Sequence, residues 1–237
     1  MKNIVAFEKG LCWTLYKFME ADFVHFMDFV PYTNQNKAIY SPKLLAMILQ
    51  ICGYIDTVFK EMAKFKSIRK IPMCEKINSL ERQNYRSYDI TLARDAFETI
   101  YNLSINNGGK LIAKLDWVGD KELTPFSNFA QNRSPQWWYD YNNLKHNWAS
   151  TIRRANMDNA LEALAGAFLL NAVHYPSIRH LWKLGILKPI VKSGNEFAET
   201  YLPEKVFDDI LKKSVSSLKS FNYSHMVETE LFLYAKI

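Results

Sequence analysis

The stretch from Ser134 to Trp148 reads S-P-Q-W-W-Y-D-Y-N-N-L-K-H-N-W and gathers the side chains best suited to chemistry. His146 carries an imidazole that can take and give a proton around neutral pH. Asn142 stands four residues earlier, so on a helix its amide shares a face with that ring. Lys145 lies beside the imidazole, and Arg153 and Arg154 follow shortly after. An imidazole and cations are sufficient for metal-free cleavage of RNA. The base activates a 2′-hydroxyl, and the cations neutralise charge growing on the phosphorane-like transition state. This makes His146, Asn142 and Lys145 the catalytic candidates. Arg153, Arg154 and Tyr139 become the candidates for contact with nucleic acid. The blander alternative uses the same residues as one wet face of a surface helix.

The other histidines have poorer company. His25 sits in an aromatic-rich stretch, His180 and His225 lack nearby acidic partners, and His174 precedes a helix-ending segment where the helix dipole would account for it. No His, Asp or Glu grouping has metal-ligand spacing, no glycine-rich phosphate loop is present, and no G-x-S-x-G elbow appears. Neither a metal nor a cofactor is expected.

To position those residues the chain must build helices. Over Gln136 to about Ala149, Trp137, Tyr141, Leu144 and Trp148 fall within about 60° of one another at helical spacing and form a stripe to be buried. Tyr139, Asn142, Asn143 and His146 occupy the other side, with Trp138 and Lys145 between. Ser134-Pro135 supplies a cap-plus-proline start. After a break near Ser150, a second helix is predicted over about 152–174, its Ala155, Ala160, Ala163, Ala165, Gly166 and Ala167 admitting a close neighbour. The polar face of the first helix would then be roofed by Asn156 and Asn159 of the second, or by another subunit.

Upstream, Leu11, Leu15, Phe18, Met19, Phe23, Phe26 and Val30 predict a helix over 8–30 with that face buried. Ser41-Pro42 opens another over 42–66, and Pro72 a short one to about Ser79. Residues 90–103 suit a helix, Asn106-Asn107-Gly108-Gly109 a turn, 111–118 a strand or an extended pass, and 125–132 a loop. A short basic helix is expected over 177–187, loops at Gly185, Pro189 and Gly194, a helix from Pro203 to about Leu218, and a terminal strand over 227–237.

The bulk composition agrees with this. Fifteen Phe, thirteen Tyr and six Trp against eight Gly and eight Pro favour bulky helix packing over a many-turned sandwich. The net charge of +6 permits an anionic partner, but the charges are interspersed and form no basic tail. Cys12, Cys52 and Cys74 are odd in number and far apart, which fits reduced thiols in a cytoplasmic protein. The longest apolar run, Ala163 to Leu170, falls short of the roughly 20 residues a bilayer requires, so no membrane partner is expected.

Tyr40-Ser41-Pro42, Pro125-Phe126, W-W-Y-D-Y-N-N-L-K-H-N and A-N-M-D-N-A-L over 155–161 together resemble a group of uncharacterised bacterial and phage-borne proteins. That group in turn resembles the HEPN superfamily of helical bundles. The likeness spans about 42–66 and 125–174. It implies a mainly α, HEPN-like bundle with a minor β or extended element, a single domain over 1–237 with its core at about 42–174. It also implies RNA as partner, a homodimer that brings two motifs together, and a place in defence or toxin systems. If the protein is an enzyme, the implied reaction is metal-independent endoribonuclease cleavage. His146 and Asn142 match the family motif by role. Its arginine would fall at Tyr141, Asp140 or Tyr139, none of which is one, and Lys145, Arg153 or Arg154 would have to replace it. The competing expectation is a catalytically inert dimerisation or protein-interaction module. A nucleotide or small-molecule enzyme of another class comes third.

Overall fold

Ser41 caps the most clearly signalled helix: its Oγ accepts from the Leu44 amide at 3.1 Å, and Pro42 takes the first helical position. In the computed structural model this helix, α2, spans Pro42–Ala63. The structure describes residues 10–65, 68–82, 89–193, 196–199, 203, 205–209 and 225–236. The other helices are α1 (Leu11–Phe29), α3 (Pro72–Arg82), α4 (Ile90–Tyr101), α5 (Gln136–Thr151), α6 (Met157–Val173) and α7 (Tyr175–Lys183). The strands are β1 (Lys110–Ala113), β2 (Lys121–Leu123), β3 (Leu187–Ser193), β4 (Glu196–Glu199), β5 (His225–Glu228) and β6 (Phe232–Lys236). The protein is mainly helical with one small antiparallel sheet, ordered β2-β1-β6-β5-β3-β4.

α6 is the hub. Nearly all its side chains are buried, and it packs against α1, α2, α5, α7, β1 and β6. A helix apolar all round belongs at the centre of a fold. Its small residues have the expected use: a Cβ on Gly166 would lie 3.3 Å from both Phe126 and Trp137. On its sheet side, Phe168 stacks on Phe232 with ring centres 5.4 Å apart. α2 is the one helix among the described residues long and apolar enough, by length and composition, to cross a bilayer; here it packs along α6.

Buried polar ties fasten the periphery. Glu20 of α1 is fully buried and accepts from Tyr16 Oη at 2.9 Å, from the Leu231 amide at 3.3 Å and from Thr229 Oγ1, so α1 is bound to the β5–β6 turn. Tyr32 Oη donates to Asp158 at the start of α6, where Lys121 Nζ of β2 also reaches Asp158 Oδ1 at 3.0 Å. Burial alone would raise the Asp158 carboxyl, but these two hydrogen bonds outweigh it and hold the carboxyl below its ordinary value.

Several sequence expectations change. α1 buries Cys12, Trp13, Tyr16, Met19, Glu20 and Phe23, so its inward face is rotated from the predicted one. Leu11, Leu15 and Phe18 are 50%, 42% and 66% exposed. The helix carries apolar residues on both sides, and spacing alone could not choose between them. Residues 127–131 form a 3₁₀ turn rather than loop. Pro189 lies within β3, opposite His225, and residues 225–236 are a hairpin of two strands rather than one. Four short or proline-bearing strands were thus hidden by weak local patterns. Of the helix predicted from Pro203, residues 205–209 are helical and most of the rest lies outside the described residues, as do Lys66 and Ile237.

Candidate nucleic-acid interface

α5 and α6 form the expected hairpin, but it closes differently from the sequence reading. Ser134 makes no cap. Pro135 holds the N-cap position at φ −57° and ψ 147°, and its carbonyl accepts from the Trp138 and Tyr139 amides at 3.1 Å each. The break falls at Asn147 (φ −153°, ψ 51°), whose carbonyl accepts from Thr151 Oγ1 at 2.7 Å. A 3₁₀ turn over Ile152–Arg154 follows, and Asn156 caps α6 by accepting from the Asn159 amide at 3.0 Å.

Trp137, Tyr141 and Leu144 are buried as expected, with Trp137 Nε1 donating to the Pro125 carbonyl at 2.8 Å. Trp138, predicted on a flank, is buried against Tyr141 at a ring separation of 5.1 Å. Trp148 is not part of the buried stripe. It is 58% exposed, because the chain leaves helical geometry one residue before it.

The residue that sequence reasoning passed over is Asp140. It is buried, and its carboxylate accepts from Gln136 Nε2 and Asn159 Nδ2 at 3.0 Å each and pairs with Arg154. Asn159 also donates to the Arg154 carbonyl at 2.9 Å. The Arg154 guanidinium lies over the Tyr139 ring at 5.3 Å. An acidic residue between Trp137 and Tyr141, on the face destined for burial, was the available signal: such a charge must find a cation.

The structure therefore brings Tyr139 and Arg154 together and commits part of the Arg154 charge to Asp140. Lys145 is exposed with its Nζ 5.7 Å from the centre of the Tyr141 ring, and Arg153 is exposed. Asn142 and His146 sit one turn apart without bonding to each other. His146 is exposed, and no described residue hydrogen-bonds its ring. Among the described residues the second helix does not roof this face. Asn159 reaches α5 only at the buried Asp140, and the face of Tyr139, Asn143 and His146 opens to solvent. Tyr40, 46% exposed, bridges antiparallel to Asn156 at the start of α6.

This surface can bind an anion and stack flat rings. It does not hold the imidazole against a second acid or base, which phosphodiester cleavage by concerted proton transfer requires. Among the described residues no group of three or more His, Cys, Asp or Glu is arranged to hold a metal ion. Comparison with family models, with curated proteins and with solved structures returned no match to this chain. The likeness to the HEPN superfamily consequently rests on the residues that suggested it.

Proposed function

We propose that the exposed side of the α5–α6 hairpin binds single-stranded RNA. The supporting observation is the interleaving of accessible rings, Tyr139 at 53% and Trp148 at 58% exposure, with the cations of Lys145, Arg153 and Arg154. Sequence-tolerant single-strand binding uses this combination, since every base offers a π-face and every nucleotide a phosphate. The net charge of +6 adds long-range attraction.

Fluorescence anisotropy with a short labelled uridine oligonucleotide tests the reading. Tyr139→Ala and Trp148→Ala are each expected to weaken binding by about 1–3 kcal/mol. Asp140→Asn keeps an acceptor for Gln136 and Asn159 but releases the Arg154 charge, so it should tighten binding and steepen the salt dependence by about 0.7 in the log–log slope. Unchanged affinity in all three variants would refute the proposal. Binding without cleavage is the expected outcome; turnover that disappears in His146→Ala would restore the ribonuclease reading.

A second reading has its own observation. Leu11, Leu15, Phe18 and Phe29 form an outward stripe on α1, each 42–74% exposed. They present on the order of 400–500 Å² of apolar surface, taking about 150–250 Å² for a whole aromatic side chain. That is as large as the biggest patch on a typical monomer, about 300–600 Å². Two copies of this face would bury about 800–1,000 Å², the size of a weak or transient interface. The reading commits to a second copy of this chain, paired through α1 as a weak dimer. Light scattering over a concentration series should show dimer formation that Phe18→Glu abolishes; a monomer at every concentration would end the idea.

A further inference from the structure

A cleft of about 280 Å³ opens between the C-terminal half of α1 and the turn that joins β1 to β2. Its size is close to the lower end of small-molecule pockets, about 300 Å³. We infer that this cleft is a binding site for a small organic cation, an alkyl- or arylammonium, seated between Trp117, Tyr32 and the carboxylates of Asp28 and Asp116.

The argument starts from the walls. Val24, Met27 and Leu115 supply an apolar lining. Tyr32 is 4% exposed and its hydroxyl is fixed by Asp158 and by Lys121 Nζ at 3.0 Å, so its ring cannot swing aside. Trp117 is 71% exposed, the most exposed tryptophan among the described residues, yet its turn is well built. The Leu115 carbonyl accepts from the Val118 amide at 3.2 Å and from the Gly119 amide at 2.8 Å, with Gly119 at φ +76°. Trp117 thus lines the cleft with a large, mostly exposed ring carried on an ordered turn.

Charge decides what. The cations near the cleft are already engaged: Lys114 Nζ donates to Glu228 Oε1 at 3.2 Å and to the Thr229 carbonyl, and Lys121 is bound to Asp158 and Tyr32. Asp116 is exposed with no described hydrogen-bond or ion-pair partner, and the described partner of Asp28 is His25 Nδ1 at 3.3 Å. Of the lining carboxylates Asp116 has no described partner, and the exposed Trp117 ring is of the kind that attracts a cation. The Tyr32 ring already has Lys121 Nζ 5.4 Å from its centre and serves as a wall. An anion would meet two carboxylates, and a neutral apolar molecule would leave them unused.

Isothermal titration of the full chain with benzyltrimethylammonium tests the assignment, with phenylacetate and benzyl alcohol as probes of equal bulk but other charge. The expected result is saturable one-to-one binding of the cation, at least fivefold tighter than either comparison compound. Trp117→Ala and Asp116→Asn should each weaken it fivefold or more while melting at the parent temperature, since both side chains are exposed. Trp148→Ala, on the hairpin, should leave it unchanged, which separates this site from the RNA surface. Equal affinity for benzyl alcohol, no saturable binding, or binding indifferent to both substitutions would overturn it.

Discussion

Replacing Phe126 by alanine is expected to destabilise the protein by about 3–5 kcal/mol, the usual range for emptying a buried aromatic site. Phe126 has no exposed surface and links elements far apart in sequence. Its ring lies 6.0 Å from Phe59 of α2 and 5.7 Å from Trp137 of α5, edge-on in both cases, and 5.1 Å from Phe129. Phe59 in turn stacks on Phe97 of α4 at 5.5 Å. The facing wall at Gly166 has no side chain with which to fill a void, so collapse around the cavity is restricted. For a chain of this length the melting temperature should fall by roughly 10 °C, at about 2–4 °C per kcal/mol. Phe29→Ala, at a 74% exposed position, is the control and should change stability by less than about 0.5 kcal/mol. Equal losses in chemical denaturation of the two variants would show that the aromatic cluster is not the keystone described here.

The second large effect is acid sensitivity from His174. The ring is completely buried at the junction of α6 and α7, with Tyr101 Oη 3.0 Å from its Nδ1 and Phe65 edge-on at 5.7 Å. Burial pushes its pKa down to about 3. An unfolded histidine titrates near about 6.5. Between those values the unfolded chain binds a proton that the native chain refuses, so stability is complete above about pH 6.5 and declines as pH falls toward about 3. The slope is about 1.4 kcal/mol per pH unit, and by pH 4 roughly 3 kcal/mol should be gone. The helix-dipole role expected from sequence does not hold, because the imidazole is kept neutral. His174→Gln should be less stable than the parent at pH 7 yet lose less between pH 6.5 and 4. Asp158 contributes its own acid loss at lower pH, below the ordinary carboxylate range, and is common to both proteins. Parallel stability curves for parent and variant would disprove the assignment.

The helical part of the fold was legible where capping chemistry and period agreed. Ser41-Pro42 and the small-residue run of α6 are local signals whose meaning does not depend on distant partners. The sheet was not legible for the opposite reason. β2 has three residues, β3 carries Pro189, and β1 finds its second neighbour only at β6. At the hairpin, periodicity placed Trp137, Tyr141 and Leu144 correctly and misplaced Trp148, since nothing in the local sequence announces the φ/ψ excursion of Asn147. Asp140 could have been found by asking which cation satisfies a carboxylate on a buried face. The cleft beside Trp117 could not, because its two walls are separated by some eighty residues and meet only in the folded chain.

The placement of β6 has a consequence for how the protein is made. Lys110 pairs with Ala235, and β6 sits between β1 and β5, so the described strand furthest along the chain is interior to the sheet. While the ribosome is still extending the chain, β1–β2 and the later strands have an open seam between them, with the aromatic flank of Phe168 uncovered beneath it. The nascent helices can assemble early, but the sheet closes only once β6 is paired on both sides. Until then the seam is open apolar surface, the part of the growing chain most exposed to mispairing.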